Sequence, residues 1–533
     1  MTGVFSVSRR NMIAAAIILA AIGIRFYNIN GALFDFNPLR QAMGTAIARN
    51  YAQDPASSFL LPRVDNDGAS PGYFMFELPV LPYSVSFIIR AAGDHNWVFR
   101  LPVIILFGLS AFYFFRLCVL ISDDRTALTA LVFYCIAPIS ILMSRVFQAE
   151  SFMLLAMFVL IYHAIKWLRD ERVVDLVTAS LALTLFILLK LTNLYILVFI
   201  AALFLIFRKT RLIPMFLIPL TFVLAVNAWW WVIHSGSVRA AFPTEYTLVE
   251  GEAIFGPKFL ISKIIENSFS IEFWRVILKQ VSWVIFSPGI FILAILGCFS
   301  KKEETLKWVL FSWIFAAAAF IFLVPMASVQ DYYKIHFLPP GAILAALGYY
   351  SVFGRIRGGF LKKTVKLFFW ALVTVSIFVI VFPKIKYKPV FEFQEELGAR
   401  VNHITGEKDL ILTSFGPDAM LLYYCGRKGW SQYLPAMKGN IDLLEKRREE
   451  GADYFVCGNL DEFDSDQAFK EYLENNYRLV EAGERVYEEP EKGTFDRFLW
   501  EILALSGSRA DGYRKKLERR SLGYVIYDLK EKL

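Results

Sequence analysis

The chain has 533 residues, of which 56% are hydrophobic, 16% aromatic and only 20% charged. That balance excludes an ordinary soluble enzyme and makes it an integral membrane protein. The formal charge of +8 does not point to nucleic acid, because the lysines and arginines fall in short clusters between apolar runs.

The first apolar run, "MIAAAIILAAIGI" (12–24), follows Arg9 and Arg10 and has no small-residue cleavage site after it, so it reads as an uncleaved span. In "DFNPLRQAMGTAIARNYAQ" (35–53), Asn37 as N-cap and Pro38 as first helical residue predict a helix. Leu39, Met43, Ala46, Ile47 and Tyr51 give it an apolar stripe suited to an interface. Arg40 in its first turn opposes the helix dipole at about 0.3–1 kcal/mol. It therefore calls for an anion, either Asp35 or a phosphate at the helix N-terminus.

Further apolar runs centre near residues 82, 108, 135, 160, 182, 200, 222, 291, 316, 344 and 374. The run at 73–91 carries Glu77, Pro79, Pro82 and Arg90. If it spans, the clusters "KWLRDER", "RKTR", "SKKEETLK" and "GRIRGGFLKK" lie outside; if it lies along the outer surface, all four lie inside with Arg9 and Arg10. The second choice predicts eleven spans in a membrane domain of residues 1–383, with outer loops at about 28–96 and 235–280.

The tail, 384–533, alternates short apolar segments ("DLILTS", "DAMLLYYCG", "ADYFVCG", "YVIYDL") with charged helical ones, the pattern of an extracytoplasmic α/β domain. Cys118, Cys135 and Cys298 sit in or beside apolar runs, and Cys425 and Cys457 read as core positions of the tail, open to pairing only if it is outside the cytoplasm. There is no internal repeat.

Outer turns should be poor in cations, yet Arg145 ("SRVFQAE"), Lys190 ("LLKLTN") and Lys334 ("DYYKIH") fall there. Lys190 is flanked by runs of about fourteen apolar residues, roughly 21 Å of helix. That is short for a bilayer core of about 30 Å, so its turn should line a cavity below the surface. Carboxylates share these places: Asp35, Asp65, Glu77, and Glu150 at the head of a long apolar run beside Arg145. His234 and His336 also lie at outer helix ends but lack metal-ligand spacing. Trp229, Trp230 and Trp231 suit an aromatic belt.

Together "AIARN", "FELP", "FRLP", Glu150, Lys190 and "DYYKIHFLPPGAILAALG" resemble the membrane-embedded C-type (GT-C) glycosyltransferases. The likeness is to bacterial relatives of protein O-mannosyltransferases and of lipid A aminoarabinose transferases, and it covers residues 12 to about 383. It implies a polytopic helical enzyme of the bacterial inner membrane with its site on the periplasmic face. Such an enzyme moves a hexose or pentose, with inversion, from a polyprenyl-phosphate donor to a lipid, glycan or protein acceptor.

Carried over, Lys190 matches the lysine that meets the donor phosphate and Tyr333 a tyrosine beside it. Arg40, Gln41, Arg145, Lys334 and His336 are further donor-site candidates. Glu77 and Glu150 match acidic positions that would bridge a divalent metal ion, the cofactor the resemblance implies. The family's catalytic Asp-Glu pair falls on Arg40 and Gln41. The base is therefore sought in Asp35 first, then Glu77 and Asp65. A transporter or flippase, or a non-catalytic binder of the same lipid, is the alternative reading.

Overall fold

The computed structural model describes residues 9–243, 262, 265–301, 303–323, 330–386, 389–414, 419–432, 434, 439–486 and 521–533. Much of the loop expected at 235–280 thus lies outside the described residues.

Each apolar run read as a span is helical. The chain passes through α1 (Arg9–Arg25), α2 (Pro38–Gln53), α3 (Val80–Ala92), α4 (Asn96–Ile121), α5 (Asp124–Ile136), α6 (Pro138–Met143), α7 (Glu150–Asp170), α8 (Val173–Leu189), α9 (Ile196–Ile206) and α10 (Ile213–Ala228). Longer apolar helices follow at Glu304–Leu323, Leu338–Arg355 and Gly359–Ile385. Six described helices are long and apolar enough to cross a membrane alone, seven if the bent pair Ile271–Ile285 and Pro288–Cys298 is one span. The other expected spans are shorter or broken helices.

The helix at 80–92 is not one of the six. Its 13 residues make about 20 Å, short of a hydrocarbon core. It packs on α2 and α4 through Leu81, Val85 and Ile89, and Arg90 donates to the Tyr51 carbonyl at 2.5 Å.

Two ends of the bundle can be told apart. With 21 residues, α7 runs about 31 Å from Glu150 to Asp170. Just beyond, Glu171 pairs with Lys209 at 2.6 Å and with Arg211. The basic clusters at 166–172 and 208–211 therefore meet at one end, while α8 returns the chain to Lys190 at the other.

The helices Pro288–Cys298 and Leu338–Arg355 touch backbone to backbone. A Cβ on Gly297 would stand 1.9 Å from the Leu344 carbonyl oxygen, and one on Gly348 2.0 Å from that of Leu293. Only glycine permits this approach, the usual small-residue solution where helices pack without a hydrophobic driving force.

The tail folds around a five-stranded sheet ordered β2-β1-β3-β5-β4, with β1 (Leu410–Ser414), β2 (Gly429–Ser431), β3 (Ala452–Cys457), β4 (Tyr477–Val486) and β5 (Ser521–Lys532). The first three strands are parallel and β5 is antiparallel to both its neighbours. Alternation sends Ile411, Val456 and Ile526 to one face, under the helix Pro389–Ile404, and Leu412, Phe455 and Tyr527 to the other. "DAMLLYYCG" contributes a helix, Met420–Cys425, between β1 and β2. Cys425 and Cys457 are buried on opposite faces, both as free thiols.

The first loop closes the edge of this sheet. Asn66 bridges Gly429 as a short parallel strand, the Gly68 amide donates to Gly429 O at 2.8 Å, and Gly429 N donates to Asp65 O at 3.0 Å. An open edge would otherwise expose unpaired backbone groups. Arg49 adds a second tie, donating to the Tyr423 carbonyl at 2.6 Å and to Asp94 at 2.7 Å. The first loop and the tail are thus one assembly at the Lys190 end of the bundle.

Candidate active site

The first loop is anchored from below by three buried arginines. The carbonyls at the end of α1 lack helical partners. Arg145 donates to those of Arg25 (2.8 Å) and Tyr27, and Arg100 to those of Ile29 (3.0 Å), Asn28 (3.2 Å) and Ala32 (2.7 Å). Arg25 binds Ala21 O at 2.8 Å and Cys135 O at 3.0 Å. Arg145 therefore does not face the mouth of the bundle as expected: its guanidinium is spent on backbone carbonyls.

Gln41 has a similar task. Its amide donates to the Leu33 and Phe36 carbonyls at 2.7 and 2.8 Å, while its oxygen accepts from Phe147 N at 2.9 Å. Gln41 lies on the buried face of α2 and holds the loop to the turn before α7. Helix α2 begins at Pro38 as predicted, with Asn37 in the left-handed region (φ 58°). Instead of capping, the Asn37 side chain donates to Gln148 at 3.1 Å.

Above this platform lies a cavity open to solvent, its polar wall formed by Arg40, Glu77, Gln148, Glu150, Lys190 and Tyr332. Lys190, in extended conformation between α8 and a short 3₁₀ turn, makes an ion pair with Glu150. Its ammonium also stands over the rings of Tyr332 (4.8 Å) and Tyr333 (5.5 Å). The Arg40 guanidinium covers the Phe76 ring at 4.3 Å. Glu77, next along, is held by a backbone bond from Leu78 N to Leu188 O at 3.1 Å. Burial raises the Glu77 carboxyl above the usual carboxylate range, opposed by Lys190 and Arg40 and reinforced by Glu150.

The remaining candidates are elsewhere. Asp65 accepts from Asn50 at 2.9 Å beside the tail, and burial raises its carboxyl too; it is not in the cavity wall. Lys334 is buried and donates to Gln330 O at 3.0 Å, and His336 bonds the Tyr195 hydroxyl at 2.8 Å among aromatic rings. The Asp35 side chain lies outside the described residues. Tyr332 and Gln148, both cavity-lining, were not singled out from sequence. Their only signal is that Tyr332 adjoins Tyr333 and Gln148 stands two residues before Glu150.

Trp230 is fully buried rather than at a lipid boundary. A metal bridging Glu77 and Glu150 meets a poor donor set, two carboxylates faced by Lys190 and Arg40. Among the described residues no group of three or more His, Cys, Asp and Glu stands together in a way that could hold a metal ion.

Residues 77–231 match the family model of dolichyl-phosphate-mannose-protein mannosyltransferases. Comparison with curated protein sequences gives no match. Among solved structures, the fold is similar to the Archaeoglobus fulgidus oligosaccharyltransferase in the apo form (TM-score 0.57, 13% identity, 90% of this chain and 74% of that one). It is also similar to ArnT from Cupriavidus metallidurans bound to undecaprenyl phosphate (0.57, 12%, 89% and 97%). A third likeness is to AglB from A. fulgidus in complex with an inhibitory peptide and a dolichol-phosphate (0.51, 12%, 89% and 73%). The chain takes the fold of the membrane-embedded C-type (GT-C) glycosyltransferases, with the segment carrying Glu77, Glu150 and Lys190 matched to the mannosyltransferase family.

Proposed function

We propose that the chain moves a sugar from a polyprenyl-phosphate-linked donor to a hydroxyl of a lipid, glycan or protein acceptor, on the outer face of the membrane and with inversion. The observation that carries this reading is the cavity itself, where the cations Arg40 and Lys190 meet the carboxylates Glu77 and Glu150 at the end of the bundle away from the basic clusters. Similar folds with undecaprenyl phosphate or dolichol-phosphate bound support the donor class. The sidedness rule supports the outer face.

In the transfer, the acceptor oxygen bonds to the anomeric carbon as the bond from that carbon to the phosphate oxygen breaks. The electron pair leaves with the polyprenyl phosphate, and a single displacement inverts the centre. Lys190 and Arg40 stabilise the charge gained by the departing phosphate. The hydroxyl proton goes to Glu77, whose raised pKa brings it nearer the working pH and makes it a better base than an exposed carboxylate. Glu150 holds Lys190 in place. Asp35 is the competing base.

The test measures turnover of a polyprenyl-phosphate-linked sugar alongside binding of undecaprenyl phosphate. Glu77→Gln should lower turnover at least about a hundredfold, the lower end of general-base effects, with binding intact. Lys190→Met should weaken binding about ten- to hundredfold, as expected for a lost charge-assisted contact. The wild-type rate should fall with acid as Glu77 protonates, at a pH above the ordinary carboxylate range. Full turnover in Glu77→Gln with loss in Asp35→Asn moves the base to Asp35.

A further inference from the structure

The π-helical turn Trp229–His234, which joins α10 to a short helix Ser235–Ala241, reaches the chain segments that carry both halves of the cavity wall. The Trp230 indole N–H donates to the carbonyl of Phe76, the residue before Glu77, at 3.2 Å. The Trp231 indole N–H donates to the carbonyl of Ile187, three residues before Lys190, at 3.1 Å. His234 bonds the Leu60 carbonyl at 2.9 Å. Trp230 is fully buried against Met75 and Leu188, so it packs between the same two strands of chain. One backbone bond, Leu78 N to Leu188 O at 3.1 Å, joins those strands directly.

Neither indole lines the cavity, and α10 contributes nothing else to it. A π-turn is rare and recurs at functional sites. Here it puts two consecutive indoles on two different carbonyls, one on the segment of the carboxylate and one on the segment of the cation.

We infer that Trp230 and Trp231 are positioning residues that set the separation of Glu77 and Lys190, by gripping the backbone beside each from a single rigid turn. The inference rests on the transfer reaction proposed above. Loss of either grip lets one segment drift relative to the other. The effect falls on the step that needs both groups at once, proton removal with phosphate departure, more than on binding of the phosphate, which needs only the cations.

The test compares Trp230→Phe and Trp231→Phe in the full-length detergent-purified chain, with Trp229→Phe as control. Turnover of an undecaprenyl-phosphate-linked sugar and binding of undecaprenyl phosphate are read on the same preparations. Each of the first two should lose about tenfold or more in kcat with KM for the donor within about twofold. Trp231→His, which keeps a ring N–H, should recover part of that loss. The double variant should lose less than the product of the single losses, because the two grips serve one distance. Trp229→Phe should behave as wild type.

Wild-type kcat in both single variants, or a loss confined to KM, overturns the inference. If Trp230→Phe does not fold, Trp231→Phe at its partly exposed position decides the matter with its His counterpart. Failure of the wild type to turn over any polyprenyl-phosphate sugar strikes instead at the proposed reaction.

Discussion

Lys190 and Arg145 are both cations at one end of the helix bundle, yet their surroundings give them different work. Lys190 pairs with a carboxylate and faces a cavity; Arg145 satisfies carbonyls that α1 leaves unpaired. Removing a buried donor costs about 1–3 kcal/mol for each acceptor left unsatisfied. Arg145→Met should therefore lower the thermal unfolding temperature while leaving undecaprenyl phosphate affinity unchanged. A normal melting curve with weakened binding would return Arg145 to the donor site. From sequence both residues break the same sidedness rule, and Arg145 is told apart by carbonyl partners more than a hundred positions away. Gln41 repeats the lesson. Its alignment with a catalytic position of the family that the sequence resembles is visible in the sequence, but its three backbone partners are not.

Elements were legible where local chemistry specifies them. Asn37-Pro38 marks the start of α2, and Pro79, Pro82 and Glu77 mark a run whose helix, Val80–Ala92, is too short to cross a membrane alone. The sheet of the tail follows from strands alternating with helices. "DAMLLYYCG", with β-prone tyrosines, becomes a helix because it must cross between the parallel strands β1 and β2. The close pair Pro288–Cys298 and Leu338–Arg355 was also hidden, since nothing nearby in sequence announces that Gly297 and Gly348 meet a neighbour's backbone. Gly297→Leu would put side chain where the Leu344 carbonyl stands. Overpacking of this kind costs about 1–3 kcal/mol or forces the helices apart. Purified Gly297→Leu should melt lower than wild type, and an unchanged melting temperature would contradict the contact.

At the scale of the whole molecule, the first loop and the tail share backbone hydrogen bonds at Asp65, Gly68 and Gly429, so they must lie on the same side of the membrane. The basic clusters at 166–172 and 208–211 lie at the opposite end of α7. In a background without native cysteines, an impermeant thiol reagent added from outside should label Ser58→Cys and Ser465→Cys but not Glu303→Cys. The reverse pattern would turn the cavity to the cytoplasm. The sugar and the acceptor are not legible in any of these features, because in the proposed reaction the cavity's charges address the phosphate that all such donors share.

In the proposed reaction this cavity consumes a polyprenyl-phosphate-linked sugar. The most direct measurement is mass spectrometry of lipid extracts from cells lacking the chain, complemented with the wild type, Glu77→Gln or Lys190→Met. A polyprenyl-phosphate-linked sugar should accumulate in the deletion strain, fall with the wild type and stay high with either variant. Identical lipid pools in all four strains, or correction by both variants as full as by the wild type, would contradict the account.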